Sequence, residues 1–327
     1  MTDKDLSYWM ALAHIGGWRT EKINRLAHAI LKEQQTGFEA FFALAPAAWI
    51  EKFSLTEDDA RKLSELATEL PNYAFLAESL LDQGYRILPL NSPDYSATLK
   101  GHLKFKYSPP VLYIKGNREI LDQPSVAIVG SRHTGPVSLE FTEARARMAA
   151  GNSQVVVSGF APGVDRLALE TALKYKGKSI IVLPQGITTF ISGFREYYQQ
   201  IIEGDVLVLS TFHPNAHWTA GLAMARNPII YGLADEIYVA DCQEKSGTWA
   251  GAMDGIRKGR TVYARVPAPG EKSALSLLIE KGAIPVRQDD RVKHEKPTTV
   301  KEEKPDYQSD KKNRTAKSTQ PRLFTDT

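Results

Sequence analysis

The stretch SVAIVGSRHTG, residues 125–135, decides how the rest of the chain is read. Ser-Val-Ala-Ile-Val is a continuous apolar run of the kind that a parallel sheet buries on both faces, and Gly130 to Gly135 reads as a turn into a helix. A dinucleotide-binding unit would place Gly-x-Gly-x-x-Gly at this junction, so that bare backbone can approach a pyrophosphate. This chain instead places Gly130, Ser131, Arg132 and His133 there. Arg132 brings a guanidinium suited to a phosphate oxygen or to stacking on a base. The alternative for Arg132 is an ion pair with a structural carboxylate, Asp165 being the candidate.

Seven further short apolar runs surround this one: RILPL, VLYIKG, QVVVSG, SIIVLP, DVLVLS, EIYVAD and TVYARV. Most end at Gly, Pro, Ser or Asp, and helical patterns separate most of them. The alternation predicts an α/β fold, with a parallel sheet covered on both faces. In such a sheet ligands bind outside the carboxyl ends of the strands, so the residues that follow each run matter most. They are Gly130–His133; Ser158, Gly159, Gly163 and Asp165; Pro184–Gly186; Ser210–Thr211; and Asp241 followed by Lys245, Ser246 and Gly247. A helix carrying Arg226 and Asn227 precedes EIYVA. Backbone N–H groups at several helix starts can converge on one anion. Asp165, just after Gly163, is expected to cap a helix beginning near Arg166.

Residues 1–82 read as helical, with breaks expected at Gly16-Gly17, Pro46 and Pro71. From about 288 onward Lys, Glu, Thr, Pro and Ser prevail, which predicts a disordered tail over 288–327. Of the 41 Lys and Arg and the 38 Asp and Glu, ten and six fall from Arg291 onward. The first 290 residues then hold 31 and 32, so any nucleic-acid site must come from local clustering of cations. A single cysteine, Cys242, excludes an intrachain disulfide and a zinc cluster, and no cofactor or metal pattern is present. Neither a run of about 18 apolar residues nor a signal-peptide pattern is found, and the expected location is cytoplasmic.

GSR, SGFAPGVDRLALETAL, RNPIIYGLADEIYVAD and SGTWAGAMDGIRKGRTVYARVP, in this order over residues 85–270, resemble the successive motifs of the DprA/Smf DNA-processing family. The resemblance implies an extended Rossmann-like domain over 83–287, behind an N-terminal all-helical domain over 1–82 of sterile-alpha-motif or helix-hairpin-helix type. It also implies binding of single-stranded DNA without sequence preference, in recombination or natural transformation, with self-association and delivery of the strand to RecA. Gly130, Ser131, Arg132, Ser158, Gly159, Gly163, Asp165, Arg226, Asn227, Ser246 and Gly247 match the family's loops; His133 and Lys245 adjoin them. The sequence departs from the family at Pro162, Leu169, Thr211 and Pro228. It also lacks a Tyr-Pro-basic stretch after Gly186, where Arg195 is the nearest cation.

Three lesser signals complete the reading. HIGGWRTEKINRLAHAI, from His14, has the form of a helical hairpin that grips a DNA backbone, and equally that of a plain hairpin. Trp218, Trp249, Tyr197 and Tyr198 lie near the loop face as base-stacking candidates. Lys174, Lys176 and Lys178 form a basic run at a helix end. In the tail QPRLF, residues 320–324, is similar to peptides that dock the sliding clamp, with Gln320, Leu323 and Phe324 as the contacts. A second function class, a nucleotide sensor or phosphoribohydrolase-like protein, would use Asp165 or Glu170 as acid or base. Against hydrolysis, no glutamate follows Ser246-Gly247-Thr248.

Overall fold

A computed structural model describes residues 3–288 and 290. The chain up to Asp290 makes one compact unit. The fold class is as expected: an α/β protein with an N-terminal helical region and a nine-stranded, mostly parallel sheet.

The helical region holds α1 (Asp3–Ala13), α2 (Thr20–His28), α3 (Phe38–Phe42), α4 (Pro46–Phe53) and α5 (Glu57–Asp82). Pro46 starts α4 at its first position, where a missing N–H costs nothing. The expected break at Pro71 does not occur; α5 runs through it. A proline in a helix interior costs about 3 kcal/mol. Here Leu63 and Leu66 on one side of it and Ala77 and Leu80 on the other are all buried, and that shared packing holds the two halves in line. The helix starts firmly, because Thr56 and Asp59 form a reciprocal capping box.

The sheet comprises β1 (Arg86–Pro89), β2 (Val111–Lys115), β3 (Ser125–Val129), β4 (Val155–Ser158), β5 (Ser179–Val182), β6 (Val206–Ser210), β7 (Glu236–Val239), β8 (Thr261–Arg265) and β9 (Ile284–Val286), in the order β1-β2-β6-β5-β4-β3-β7-β8-β9. Eight of these are the apolar runs of the sequence. The last is three residues long with Pro285 at its centre, and no period can be read from so short a segment. The strands from β6 to β9 in spatial order are parallel; β1 pairs β2 antiparallel, and β2 pairs β6 antiparallel. That pairing departs from an all-parallel expectation. One helix, α6 (Ala97–Tyr107), connects β1 and β2.

The remaining helices are α7 (Pro136–Gly151), α8 (Val164–Lys174), α9 (Ile191–Glu196), α10 (Tyr198–Glu203), α11 (Ala220–Leu233), α12 (Gly247–Arg257) and α13 (Leu275–Glu280). α7 and α8 pack together on one face of the sheet, and α11 and α12 pack together on the other. β3 to β6 are buried along their whole length, as two covered faces require. The chain winds outward from β3 through β4, β5 and β6, then returns to place β7 on the other side of β3. β3 and β7 therefore flank the switch point of the sheet, where their following turns part and leave a crevice.

Candidate nucleic-acid interface

The crevice is a cavity of about 420 Å³ at the carboxyl ends of β3 and β7. Of the residues picked out in the sequence, Gly130, Ser131, Arg132, Asp165, Arg226, Asn227, Ser246 and Gly247 line it. A second cavity of about 340 Å³, bounded by Gly159, Phe160 and Pro184, shares Arg132, Trp218 and Arg226 with the first. The two are adjoining chambers with Arg132 and Trp218 at their common rim.

Two glycines let the turns nest. Gly163 has φ +82°, and a Cβ there would fall 2.6 Å from the Ser131 carbonyl oxygen and 2.7 Å from that of Arg132. The turn after β4 thus lies directly against the turn after β3, which a side chain would force apart. At Gly159 a Cβ would lie 2.5 Å from Asp165 Oδ2 and inside contact of the Arg226 guanidinium. Only bare backbone passes between that carboxylate and that cation. Phe160, the next residue, takes φ +59°, a costly conformation for an aromatic side chain. Its ring is held by Phe190 at 5.1 Å and Tyr197 at 5.7 Å.

Hydrogen bonds fix the turns to one another. Ser158 Oγ donates to the Asp165 carbonyl at 2.6 Å and accepts from the Phe160 amide. Thr248 Oγ1 donates to the Gly130 carbonyl at 3.2 Å, and Thr134 Oγ1 donates to Asp241 Oδ2 at 3.0 Å. Ser246, not an acidic residue, caps α12 through the Trp249 amide at 3.1 Å.

Asp165 does not cap a helix. α8 begins at Val164 with Gly163 as its N-cap, and the Asp165 side chain turns inward to the Gly159 and Ala161 amides. Nor is it the ion-pair partner of Arg132. Among the described residues Arg132 has no carboxylate partner, and its charge is the weakest of the influences on Asp165. Burial raises the Asp165 carboxyl to about 6, against the pull of Arg226, the two amides and Arg132. Arg226 is 3% exposed, and burial lowers its pKa although Asp165 raises it. Its Nη1 donates to the Val182 carbonyl at 2.7 Å, while Nε has no partner among the described residues. Asp165 and Arg226 thus offset one another in the floor, and the exposed Arg132 is left as the cation facing a ligand.

The acid shift has a measurable sign. A carboxyl whose pKa is higher in the folded state than in the unfolded chain favours folding while protonated. Its contribution is present below the unfolded value and is lost as pH rises through about 6. Wild-type stability is therefore expected to fall relative to Asp165→Asn between about pH 4 and pH 6. Urea denaturation midpoints across that range test this; parallel profiles would show that the carboxyl does not titrate there.

The structure places other predicted residues elsewhere. Ser158 is buried beneath the turns, and Gly163 packs under them. His133 and Lys245 are exposed beside the cavity without lining it, Lys245 with φ +63°. Arg195 is exposed on α9, outside both chambers. Glu170 is ion-paired to Arg166 on α8, and Tyr197 is core. Trp249 is partly buried against the core, Tyr198 is exposed outside both chambers, and Trp218 is 50% exposed at the rim. Lys174, Lys176 and Lys178 precede β5, at the opposite end of the sheet. His14 is bound to Tyr113 Oη at 2.8 Å, and burial lowers its pKa to about 3. Gln320, Leu323 and Phe324 lie outside the described residues.

Sequence reading missed Tyr231 and Cys242, which line the deeper wall. Tyr231 had a signal: it stands one helical turn after Asn227, on the same face of α11. Cys242 is buried, and desolvation pushes its thiol up to about 12.

Residues 86–296 match the family model described as DNA recombination-mediator protein A. The chain belongs to the DprA/Smf family. It is 34% identical over 179 residues to the DNA processing protein DprA of Streptococcus pneumoniae, over 54% of this chain and 63% of that protein. It therefore spans less than two thirds of that relative's length. To the Smf protein of Synechocystis it is 26% identical over 283 residues, 85% of this chain and 69% of the relative. The solved Streptococcus pneumoniae DprA shares the fold, with TM-score 0.65 and 23% identity over 88% of this chain and 95% of that one. The Helicobacter pylori DNA processing protein A, solved for its single-stranded DNA binding mode, aligns with TM-score 0.52 and 29% identity over 62% and 90%. No helix among the described residues is long and apolar enough to cross a membrane.

Proposed function

We propose that the protein binds single-stranded DNA during recombination, holding phosphates at Arg132 and the amides of the surrounding turns. One observation carries the reading: among the described residues Arg132 stands without a carboxylate partner, over a cavity formed where the turns after β3, β4 and β7 meet. The single-stranded DNA binding described for the Helicobacter pylori relative supports it. Trp218, half exposed beside Arg132, suits a base stacked against the strand-facing rim. No side chain in this set reads base edges, which fits binding without sequence preference. A recombination mediator passes its strand on, so delivery to RecA and self-association belong to the same proposal, with clamp docking by residues 320–324 a separate one.

A second reading is favoured by the depth of the first chamber. About 420 Å³, walled by Tyr231 and Cys242, is room for a single nucleotide. Fluorescence anisotropy of labelled oligo-dT over a range of salt separates the two. Strand binding predicts an affinity falling linearly on a log–log plot against salt, with a slope of about −0.7 per phosphate contacted. Absence of strand binding, together with thermal stabilisation by a mononucleotide, would establish the sensor reading instead.

A further inference from the structure

On the far side of α11 the chain carries the sequence Lys104-Phe105-Lys106-Tyr107, at the end of α6. Both aromatics are turned to solvent: Phe105 is 40% exposed and Tyr107 54%. His28 stands edge-on to the Phe105 ring at 5.8 Å, yet both rings, alternating with lysines, keep a large part of their surface open to solvent.

The presentation is built into the backbone. Lys104 takes φ +59° and ψ 168°, which breaks α6 and swings residues 105–107 out of the helical path. A non-glycine residue in that region is strained and must be held by its surroundings. Asn24, buried in α2, does the holding: its Nδ2 donates to the Phe105 carbonyl at 2.7 Å and the Ser108 carbonyl at 2.9 Å. Ser108 Oγ donates to the Lys104 carbonyl at 2.7 Å and closes the turn.

Cations gather on the ring of Tyr107 from two elements. Lys106 Nζ lies 5.3 Å from its centroid and Lys258 Nζ, beyond the end of α12, 5.7 Å. Glu21 faces Lys106 at 3.3 Å, and Asp254 faces Lys258 at 2.7 Å. These are exposed pairs of small worth, and a phosphate can replace either carboxylate. Lys104 has no carboxylate partner among the described residues.

A groove of about 900 Å³ starts at Tyr107 and Lys258 and is walled by Leu222, Ala225 and Pro228 of α11. Ala223, Arg226 and Asn227, on the opposite side of the same helix, line the first cavity. One helix, about 10 Å across, therefore separates the two surfaces.

We propose that Lys104–Tyr107, with Lys258, is a second contact surface for single-stranded nucleic acid, taking the nucleotides that run on across α11 from the Arg132 cavity. The inference rests on the proposed function. Alternating rings and cations fit a strand, because each base offers a face to stack and each phosphate an anion.

The test uses the full chain and oligo-dT of two lengths, about 4 and about 15 nucleotides, within the range of single-strand site sizes. The variants are Phe105→Ala/Tyr107→Ala, Lys104→Gln/Lys106→Gln and, as a control, Arg132→Glu. Anisotropy should show the aromatic double variant about 10-fold or more weaker on the long strand and unchanged on the short one. Arg132→Glu should weaken both lengths. A long strand carrying 5-iododeoxyuridine should crosslink to Phe105 or Tyr107. The replaced side chains are exposed, and thermal melting checks that the variants remain folded.

Three results overturn the inference while sparing the first site: equal binding of both lengths by wild type, wild-type affinity of the aromatic variant for the long strand, or equal losses on both lengths. Wild type that binds neither length overturns the proposed function, and this inference with it.

Discussion

Replacing Arg226 by alanine is expected to lower the unfolding free energy by about 3–5 kcal/mol at pH 8, the usual cost of removing one partner from a buried charge system. Arg226 is 3% exposed and is the strongest favourable charge acting on Asp165. Its loss leaves a buried carboxylate opposed only by two backbone amides and the weaker pull of Arg132, and leaves the Val182 carbonyl without its donor. The carboxyl can escape by taking up a proton, and without Arg226 it does so above about 6, so the loss should shrink as pH falls from 8 toward about 6 and level off below it. Asp165→Asn made in the same chain removes the stranded charge and should recover a substantial part of the stability. Urea denaturation of the four proteins in this cycle measures the coupling. Additive effects at pH 8 would show that the two side chains do not act on one another.

Arg132→Glu should leave the melting temperature near that of wild type and reduce oligo-dT affinity about 100-fold at low salt, with the salt slope shallower by about one contact. The separation of binding from stability follows from position. Arg132 is exposed and unpaired among the described residues, and its pull on the buried Asp165 is the weakest of those acting there, so its reversal costs the fold little. It does place a carboxylate at the shared rim of two cavities where a phosphate is to sit. Arg132→Gln, which removes the charge without reversing it, should lose about 10-fold. Anisotropy at several salt concentrations distinguishes these outcomes. Unchanged affinity in Arg132→Glu would remove the opening turn from the interface.

The strands were legible because their side chains answer to a single demand, burial on both faces, which β-branched runs such as VVV and SIIV meet without ambiguity. The same reading gave the residues that follow each run, but not their order in space, and so not the switch point. Orientation was less legible. RILPL and VLYIK are as apolar as the parallel strands, and nothing in their composition reports that β1 and β2 run antiparallel. Pro71 misled because a proline's local cost is visible in sequence, whereas the buried leucines and alanine that offset it act through tertiary contacts. Asp165 misled for a related reason. Its distance from Gly163 suits a cap, but the amides of Gly159 and Ala161 compete for the same carboxylate only once the turn has closed. The turn Lys104–Tyr107 was written plainly in the sequence, yet as part of a helix its rings would have been assigned to packing. The positive φ at Lys104 and the clamp from Asn24 change that assignment.

The two outer strands of the sheet are four and three residues long, and each contains a proline, Pro89 in β1 and Pro285 in β9. A proline lends no N–H to a neighbouring backbone, and strands this short offer few others. Another polypeptide therefore finds little template along either margin for zipping on in an amyloid-like or domain-swapped manner. Among the described residues, helices and turns are then the surfaces left to meet another copy, and their side chains can be exchanged one at a time without disturbing the backbone ladder.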